Sequence, residues 1–341
     1  MKQKKVTFAD IAAYTGFSKT TISRYFNNPD SLTLENQEKI AHALDVLGYQ
    51  ENKLAKVLAN GKSEFVGIII PNLYLHYYSE MLNQLLSTYE KYNYKFLVFI
   101  GNNKKEIEEK YIHELMAYKI EGLIVLSNTI SSEELASYKL PVVTIERECD
   151  HVCSVSTDNY LGGVQATSLL IRNKCDVILH INSIFPDTLP TYGRIRGFED
   201  ICNEHHVVHE LIQRNLGNTY QETLTQLKNI FNEIEEKYPS QKKGVFLAND
   251  TYASMFLNLI FQKYGKLPKD YQIVGFDDSP IGSEAILPIT TVGQQIEKIA
   301  QTAMELLVLQ MNEMKKRKPA PLKEPVHKQI TPVLIRRDTT E

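Results

Sequence analysis

Up to Tyr49 the apolar residues recur three and four apart, whereas from Phe65 onward they gather into short unbroken runs separated by longer amphipathic stretches. The first spacing predicts helices and the second predicts parallel βαβ units, because strands covered on both faces read as continuous apolar segments. Phe8, Ile11 and Ala12 make the stripe of a first short helix, capped by Thr7 with Asp10 three residues on, a carboxylate variant of the capping box. Gly16 supplies the permissive turn, and Ser18 opens a second short helix in which Ile22 and Phe26 face inward. That leaves Lys19, Thr20, Ser23 and Arg24 facing out. Thr33 or Ser31 opens a third helix with Ile40, Leu44 and Leu47 inward and Gly48 as its stop. Two short helices around a glycine break, backed by a third, have the form of a helix-turn-helix headpiece.

The apolar runs fall into two sets. FVGIII (65–70), KFLVFI (95–100), GLIVL (122–126), PVVTI (141–145) and SVST (154–157) form the first; VILHI (177–181), a strand after Arg214, GVFLA (244–248) and QIVGF (272–276) form the second. Two sets predict two Rossmann-like halves whose strand C-terminal ends face each other across a cleft, where open α/β sheets hold ligands. The segments at those ends are polar: PNLYLHYYSE, SN, ERE, TYGRIRGF, AND and GFDDSP.

At 341 residues, 43% hydrophobic and 23% charged, the chain has ample core for a small head and a larger second part. No apolar run is long enough to span a membrane, and MKQKKVTFAD is too polar for a secretory signal, so a cytoplasmic location is expected. Four cysteines suit that compartment as free thiols. Cys149 and Cys153 bracket His151, and Cys202 precedes His205, His206 and His209, but neither group has the paired spacing of a zinc site. Metal and cofactor are therefore both expected to be none. No Walker loop, GxSxG or ordered nucleophile–histidine–carboxylate set occurs, and the adjacent Asp277 and Asp278 point apart on extended chain, so no enzyme is predicted.

Charge is uneven. Residues 1–61 carry eight Lys/Arg against six Asp/Glu, a local +2 in a chain of net −3. A basic head with a polar second helix suits the DNA major groove, where Arg24 can take guanine O6 and N7 while Ser18, Lys19, Thr20 and Ser23 reach base edges or phosphates near the helix start.

The helix-turn-helix, the following GYQENKLAKVLANGKS and the strand-end segments, with DNYLGGVQATSLL (158–170) and PITTVGQ (288–294), resemble in order the LacI/GalR family of bacterial transcription regulators. The resemblance implies an α/β fold: a three-helix head (1–49), a hinge helix and linker (50–62), and a two-lobed, periplasmic-binding-protein-like effector domain (63–341). Its N-lobe would take about 63–159 and 294–323, and its C-lobe about 160–291 and 326–341. Within NKLAKVLA (52–59), Asn52, Lys53, Ala55, Lys56 and Leu58 match the hinge positions that meet DNA, Leu58 as an apolar wedge in the minor groove. Glu51 stands where the family often has proline. So short a helix is unstable alone and should order only when docked.

Carried over by position, Leu75, Tyr77, Tyr78, Glu146, Arg194, Asn249, Asp277 and Gln294 would bind the effector, with Glu146 in place of the usual aspartate. Carboxylates, a guanidinium and tyrosine rings suit a sugar or sugar phosphate. Asp250 is expected to cap the helix at Thr251, and Gly162 and Gly163 to let a helix approach its sheet. The implied partners are pseudo-palindromic double-stranded operator DNA, a small-molecule effector and a second copy of the chain, since one head reads a half-site. The implied function is a ligand-responsive repressor of a carbohydrate-use operon. A purine-like corepressor, or a small-molecule-binding protein without DNA function, are the alternatives.

Overall fold

The computed structural model describes residues 6–50, 63–147, 150–318 and 324–341. The hinge segment expected over 52–59, with Asn52, Lys53, Ala55, Lys56 and Leu58, lies outside the described residues, as does Cys149. The chain divides into two compact units, 1–62 and 63–341.

In the first unit, α1 (Phe8–Thr15), α2 (Lys19–Asn27) and α3 (Leu34–Leu47) pack around Ile11, Ile22, Ile40 and Ala43, with Phe8 stacked on Phe26 at 5.2 Å. Local chemistry sets each boundary. Asp10 accepts from both the Thr7 amide (2.8 Å) and hydroxyl (2.7 Å), Gly16 adopts φ +76°, and the Ser18 hydroxyl accepts from the Thr21 amide. Thr33 caps α3; Ser31 lies instead in a 3₁₀ turn, Pro29–Ser31.

In the second unit the order is β1 (Phe65–Ile70), α4 (His76–Ser87), α5 (Tyr89–Tyr92), β2 (Lys95–Ile100), α6 (Lys105–Ala117), β3 (Gly122–Val125), α7 (Ser132–Ser137), β4 (Val142–Ile145) and β5 (Cys153–Thr157). Then follow α8 (Asn159–Arg172), β6 (Val177–Ser183), α9 (Gly193–Glu204), β7 (His209–Arg214), α10 (Tyr220–Lys237), β8 (Lys243–Leu247), α11 (Asp250–Tyr264), β9 (Tyr271–Asp277) and α12 (Pro280–Ser283). The chain ends with β10 (Thr290–Gly293), α13 (Ile296–Met314), β11 (His327–Ile330) and β12 (Val333–Ile335).

The strands form two sheets of matching topology, β11-β5-β4-β3-β1-β2 and β12-β10-β9-β8-β6-β7, parallel throughout except for β12 against β10. In each, the first strand lies between the second and third, so strand order reverses there and opens a crevice beyond the C-terminal ends. Both faces of both sheets are covered. Met81, Ile299, Ala303 and Leu307 lie on one face of the first sheet and Ile112, Leu115 and Leu135 on the other; Leu227, Phe231 and Phe256 face Leu170, Phe198 and Cys202 across the second.

Three details depart from the expectations. The seventh strand ends at Arg214 rather than beginning after it. Three further strands, β10 to β12, come from segments too short or too polar to read as apolar runs. Residues 326–341 do not stay in the C-lobe either: β11 pairs with β5 of the first sheet, and only β12 joins the second. The chain therefore passes between lobes three times, at Thr157–Asp158, Gly293–Gln295 and Ile330–Val333, and these passages are tied together. The Thr157 hydroxyl donates to Gln294 Oε1 at 2.6 Å, the Asp158 amide donates to the Ile330 carbonyl at 2.9 Å, and Gln295 Nε2 donates to the Thr331 carbonyl.

Candidate functional site

On the head, α2 leaves Lys19, Thr20 and Arg24 exposed. Ser18 is exposed, but its oxygen is used in capping α2, and Ser23 is half-buried with both its carbonyl and hydroxyl accepting from Asn27 Nδ2. Of the five recognition-helix candidates, then, three point free polar groups outward.

In the second unit the predicted cleft residues converge at the strand C-terminal ends. Glu146 follows β4 with φ +57°, and its carboxylate accepts from the Thr157 amide at 2.7 Å and from Asn159 Nδ2 at 2.9 Å. Asn159 Oδ1 accepts from Arg194 Nε at 2.8 Å, and Arg194 NH1 donates to the Ala248 carbonyl at 2.6 Å. The guanidinium lies 3.6 Å over the Phe276 ring, a cation–π contact. Gln294 Nε2 donates to Asp277 Oδ1 at 2.5 Å, closing a chain of bonds from one lobe to the other.

Asp277 ends β9 at φ +114°, a region that favours glycine, and holding an aspartate there costs on the order of 1 kcal/mol. Burial pushes its carboxyl well above the usual carboxylate range, with Arg194 opposing and Asp250 adding to the shift. Among the described residues, Asp277 Oδ2 and the Tyr77 hydroxyl are buried without a hydrogen-bond partner in the chain. Tyr77 packs into the first lobe's core, yet its hydroxyl lies in the field of Glu146, Asp277 and Arg194. Tyr78 stands beside it at 5.4 Å between ring centres, in the field of Tyr252 and Asp277.

Two predicted residues have other employment. Asn249 Oδ1 caps α11 by accepting from the Tyr252 amide at 2.8 Å, and its side chain also bonds toward the Tyr252 hydroxyl. Leu75 packs on the core of the opposite lobe. Asp250 is not the cap expected of it. It is the first residue of α11, fully buried, accepting from the Ser279 amide and the Thr291 hydroxyl, and burial pushes its carboxyl up to about 7. Asp278 pairs with Arg337 at 2.5 Å. Gly162 does meet its sheet, since a Cβ there would lie 2.6 Å from Phe276; Gly163 instead lets α8 approach α9, where a Cβ would lie 2.3 Å from the Arg194 carbonyl.

Sequence reasoning missed Thr157, Asn159, Phe276 and a contact between the lobes. The His76 amide and its ring Nδ1 both lie 3.1 Å from Thr251 Oγ1. His76 is the first residue of α4, whose N-cap position holds Leu75 and provides no side-chain oxygen, so the opposite lobe caps this helix. Asn159 had a signal, since it lies within the DNYLGG segment. The Thr251 contact had none, because its partners are far apart in the sequence.

Comparison with known proteins places two descriptions on the chain: "Bacterial regulatory proteins, lacI family" matches residues 7–52, and "Periplasmic binding protein-like domain" matches residues 168–340. The chain is 26% identical over 303 residues to the sucrose operon repressor of Streptococcus mutans, covering 88% of this chain and 91% of that protein. It is 26% identical over 305 residues to the ribose operon repressor of Bacillus subtilis, covering 89% and 90%. In fold it is similar to the lac repressor dimer solved with operator and the anti-inducer ONPF, with a TM-score of 0.81, 20% identity and 99% of each chain covered. A periplasmic binding protein/LacI transcriptional regulator from Alkaliphilus metalliredigens, solved with D-xylulofuranose, matches with a TM-score of 0.68 at 26% identity, over 82% of this chain and 100% of that one.

Proposed function

This chain belongs to the lacI family of bacterial regulatory proteins and is a ligand-responsive DNA-binding regulator; from that premise we propose that it represses a carbohydrate-use operon until a sugar or sugar phosphate fills its cleft. What carries the reading is the convergence of Glu146, Arg194, Asp277 and Gln294, from both lobes, on two buried polar atoms without partners, in a chain that also carries an exposed polar recognition helix. Relatives named for sucrose and ribose operons favour a sugar over a purine.

In this reading Arg24, Lys19 and Thr20 read the major groove, with Ser18 and Ser23 supporting the helix that carries them. Asn52, Lys53, Ala55, Lys56 and Leu58 form a second contact set in the minor groove. Two copies read a two-fold operator as a homodimer, in the cytoplasm, and no catalytic role is assigned. The cleft supplies the two unpartnered oxygens of Asp277 Oδ2 and the Tyr77 hydroxyl, the remaining N–H groups of Arg194 beside Asn249, and aromatic cover from Tyr78. A ligand there engages both lobes beside the three tied passages, so its binding energy acts on the angle between the lobes. Because residues 52–62 lead straight into β1, a change in that angle alters the spacing of paired hinges in a dimer.

The test is fluorescence anisotropy with the DNA upstream of the chain's own gene and its neighbours, with and without a panel of sugars. A coupling of about 1–3 kcal/mol weakens operator affinity about 5- to 150-fold, and operator must weaken sugar affinity by the same factor. A strengthening would mark a corepressor. Unchanged affinity, with a ligand shown to fill the cleft, refutes the switch.

A further inference from the structure

A run of cations, Lys315 to Lys318, marks the edge at which the second unit begins. α13 runs down one face of the first sheet, where a Cβ on Gly122 would meet Leu307 and Met311, and its end is fastened to the N-terminal edge of that sheet. Lys315 pairs with Glu121, just before β3, and its Nζ donates to the Tyr94 hydroxyl, just before β2, at 2.9 Å. Lys316, Arg317 and Lys318 follow on the surface. The chain enters the unit at the same edge: the Ser63 hydroxyl donates to the Lys119 carbonyl at 2.5 Å, and the Glu64 amide donates to Glu121 at 2.8 Å. Lys119 and Lys139, exposed in the turns before β3 and β4, continue the basic row.

Helix-end chemistry explains only half of the run. Cations favour the negative end of a helix dipole, an effect that fades beyond the last turn, and Lys315 and Lys316 are paired with Glu121 and Glu313. Arg317 and Lys318 lie past that end, exposed, and among the described residues neither meets a carboxylate within ion-pair distance. Lys95, at the start of β2, is held by Glu64 at 2.8 Å. Glu90, Asp150 and Glu324 stand on the flanks, before β2, β5 and β11. Lys119, Lys139, Arg317 and Lys318 are left as a positive stretch along the starts of β3 and β4, and like charges held together are satisfied by an anionic surface.

We propose that this edge is a further DNA contact, outside the head and the segment that follows it, at which Lys119, Lys139, Arg317 and Lys318 hold phosphates of the duplex the head reads. Connectivity favours DNA over an acidic protein. Residues 51–62 join the edge to the head, and the chain from Gln50 to Ser63 spans at most about 45 Å even when fully extended. A bound duplex carries a phosphate charge about every 1.7 Å of its axis, so these charges are at high local concentration for an edge on so short a tether. An acidic protein has to be recruited from solution, whereas the DNA is already held by the same chain. The contact adds affinity without reading sequence, because it engages phosphates alone.

The experiment measures the affinity of the full chain for a labelled random-sequence duplex of about 40 base pairs, by anisotropy, between 50 and 200 mM salt. Each phosphate contact contributes about 0.9 to the slope of log affinity against log salt, so Arg317→Ala with Lys318→Ala should lower that slope by about 2 per bound chain. Wild type should then lose about tenfold more affinity than the double variant across that salt range. Lys119→Ala with Lys139→Ala should act in the same direction, and keeps the test open if the first pair fails to fold. Lys266→Ala with Lys269→Ala removes the same charge from the exposed turn before β9, at the N-terminal edge of the other sheet, and should leave the slope as it is. A wild-type slope in the folded edge variants, or an equal fall in the control pair, overturns the contact. The run then serves the helix end or an acidic protein, and a regulator that binds DNA through its head still stands.

Discussion

Thr251→Val tests how the two lobes hold each other. Valine keeps the shape of threonine and removes the one oxygen that meets both the His76 amide and its ring nitrogen at 3.1 Å. Each such bond contributes about 0.5–1.5 kcal/mol net, and a lost N-cap costs about 0.5–2 kcal/mol, so the pair together is worth about 1–3 kcal/mol. The loss falls on the arrangement in which the lobes touch, because separated lobes leave the same helix end to water. If ligand binds the touching arrangement, apparent affinity falls in proportion to its population, up to about 5- to 150-fold. Calorimetry with whichever sugar the panel identifies measures the loss, and Thr251→Ser, which keeps the oxygen, should restore it. A folded valine variant with wild-type affinity would show that this contact does not bias the lobes.

Other expectations follow from single residues. Arg24→Ala should cost about 1–3 kcal/mol on specific operator and little on random DNA, read by anisotropy; equal losses on both would reduce Arg24 to a phosphate contact. Gly163→Ala places a methyl group against the Arg194 carbonyl, so α8 and α9 must part at a cost of about 1–3 kcal/mol, and sugar affinity should drop while operator binding persists. Asp250 has its carboxyl raised by burial from 3.8 to about 7 in the fold. The unfolded chain releases that proton first, so this group takes stability away as pH climbs from about 4 to about 7 and the loss persists above. Asp250→Asn should therefore raise the melting temperature at pH 8 and change it little at pH 4; an equal change at both values would refute the assignment.

Much of this protein was decided by pattern along the chain. Apolar runs at β1 and β2 were readable to the residue because β1 is buried on both faces of its sheet, and β2, half-buried at the sheet edge, still packs Phe96 and Val98 against one face and Leu97 and Phe99 against the other. Thr7, Gly16, Ser18 and Gly48 set helix ends through contacts within a few residues, so their roles were legible as well. The polar strand ends followed from the same logic, since a parallel sheet presents its ligand crevice there. Tertiary structure alone decided how those polar groups are used. Asp250 serves Ser279 and Thr291, Gln294 joins Thr157 to Asp277, Asp278 goes to Arg337, and β11 returns to the first sheet. None of these pairings leaves a periodic trace, because a hydrogen bond between residues far apart in the chain depends on where packing brings two strand ends, and that is a property of both sheets at once. Arg194 and Asn249 show the consequence: residue type announced a polar site, while packing determined which of their donors and acceptors remained for a ligand.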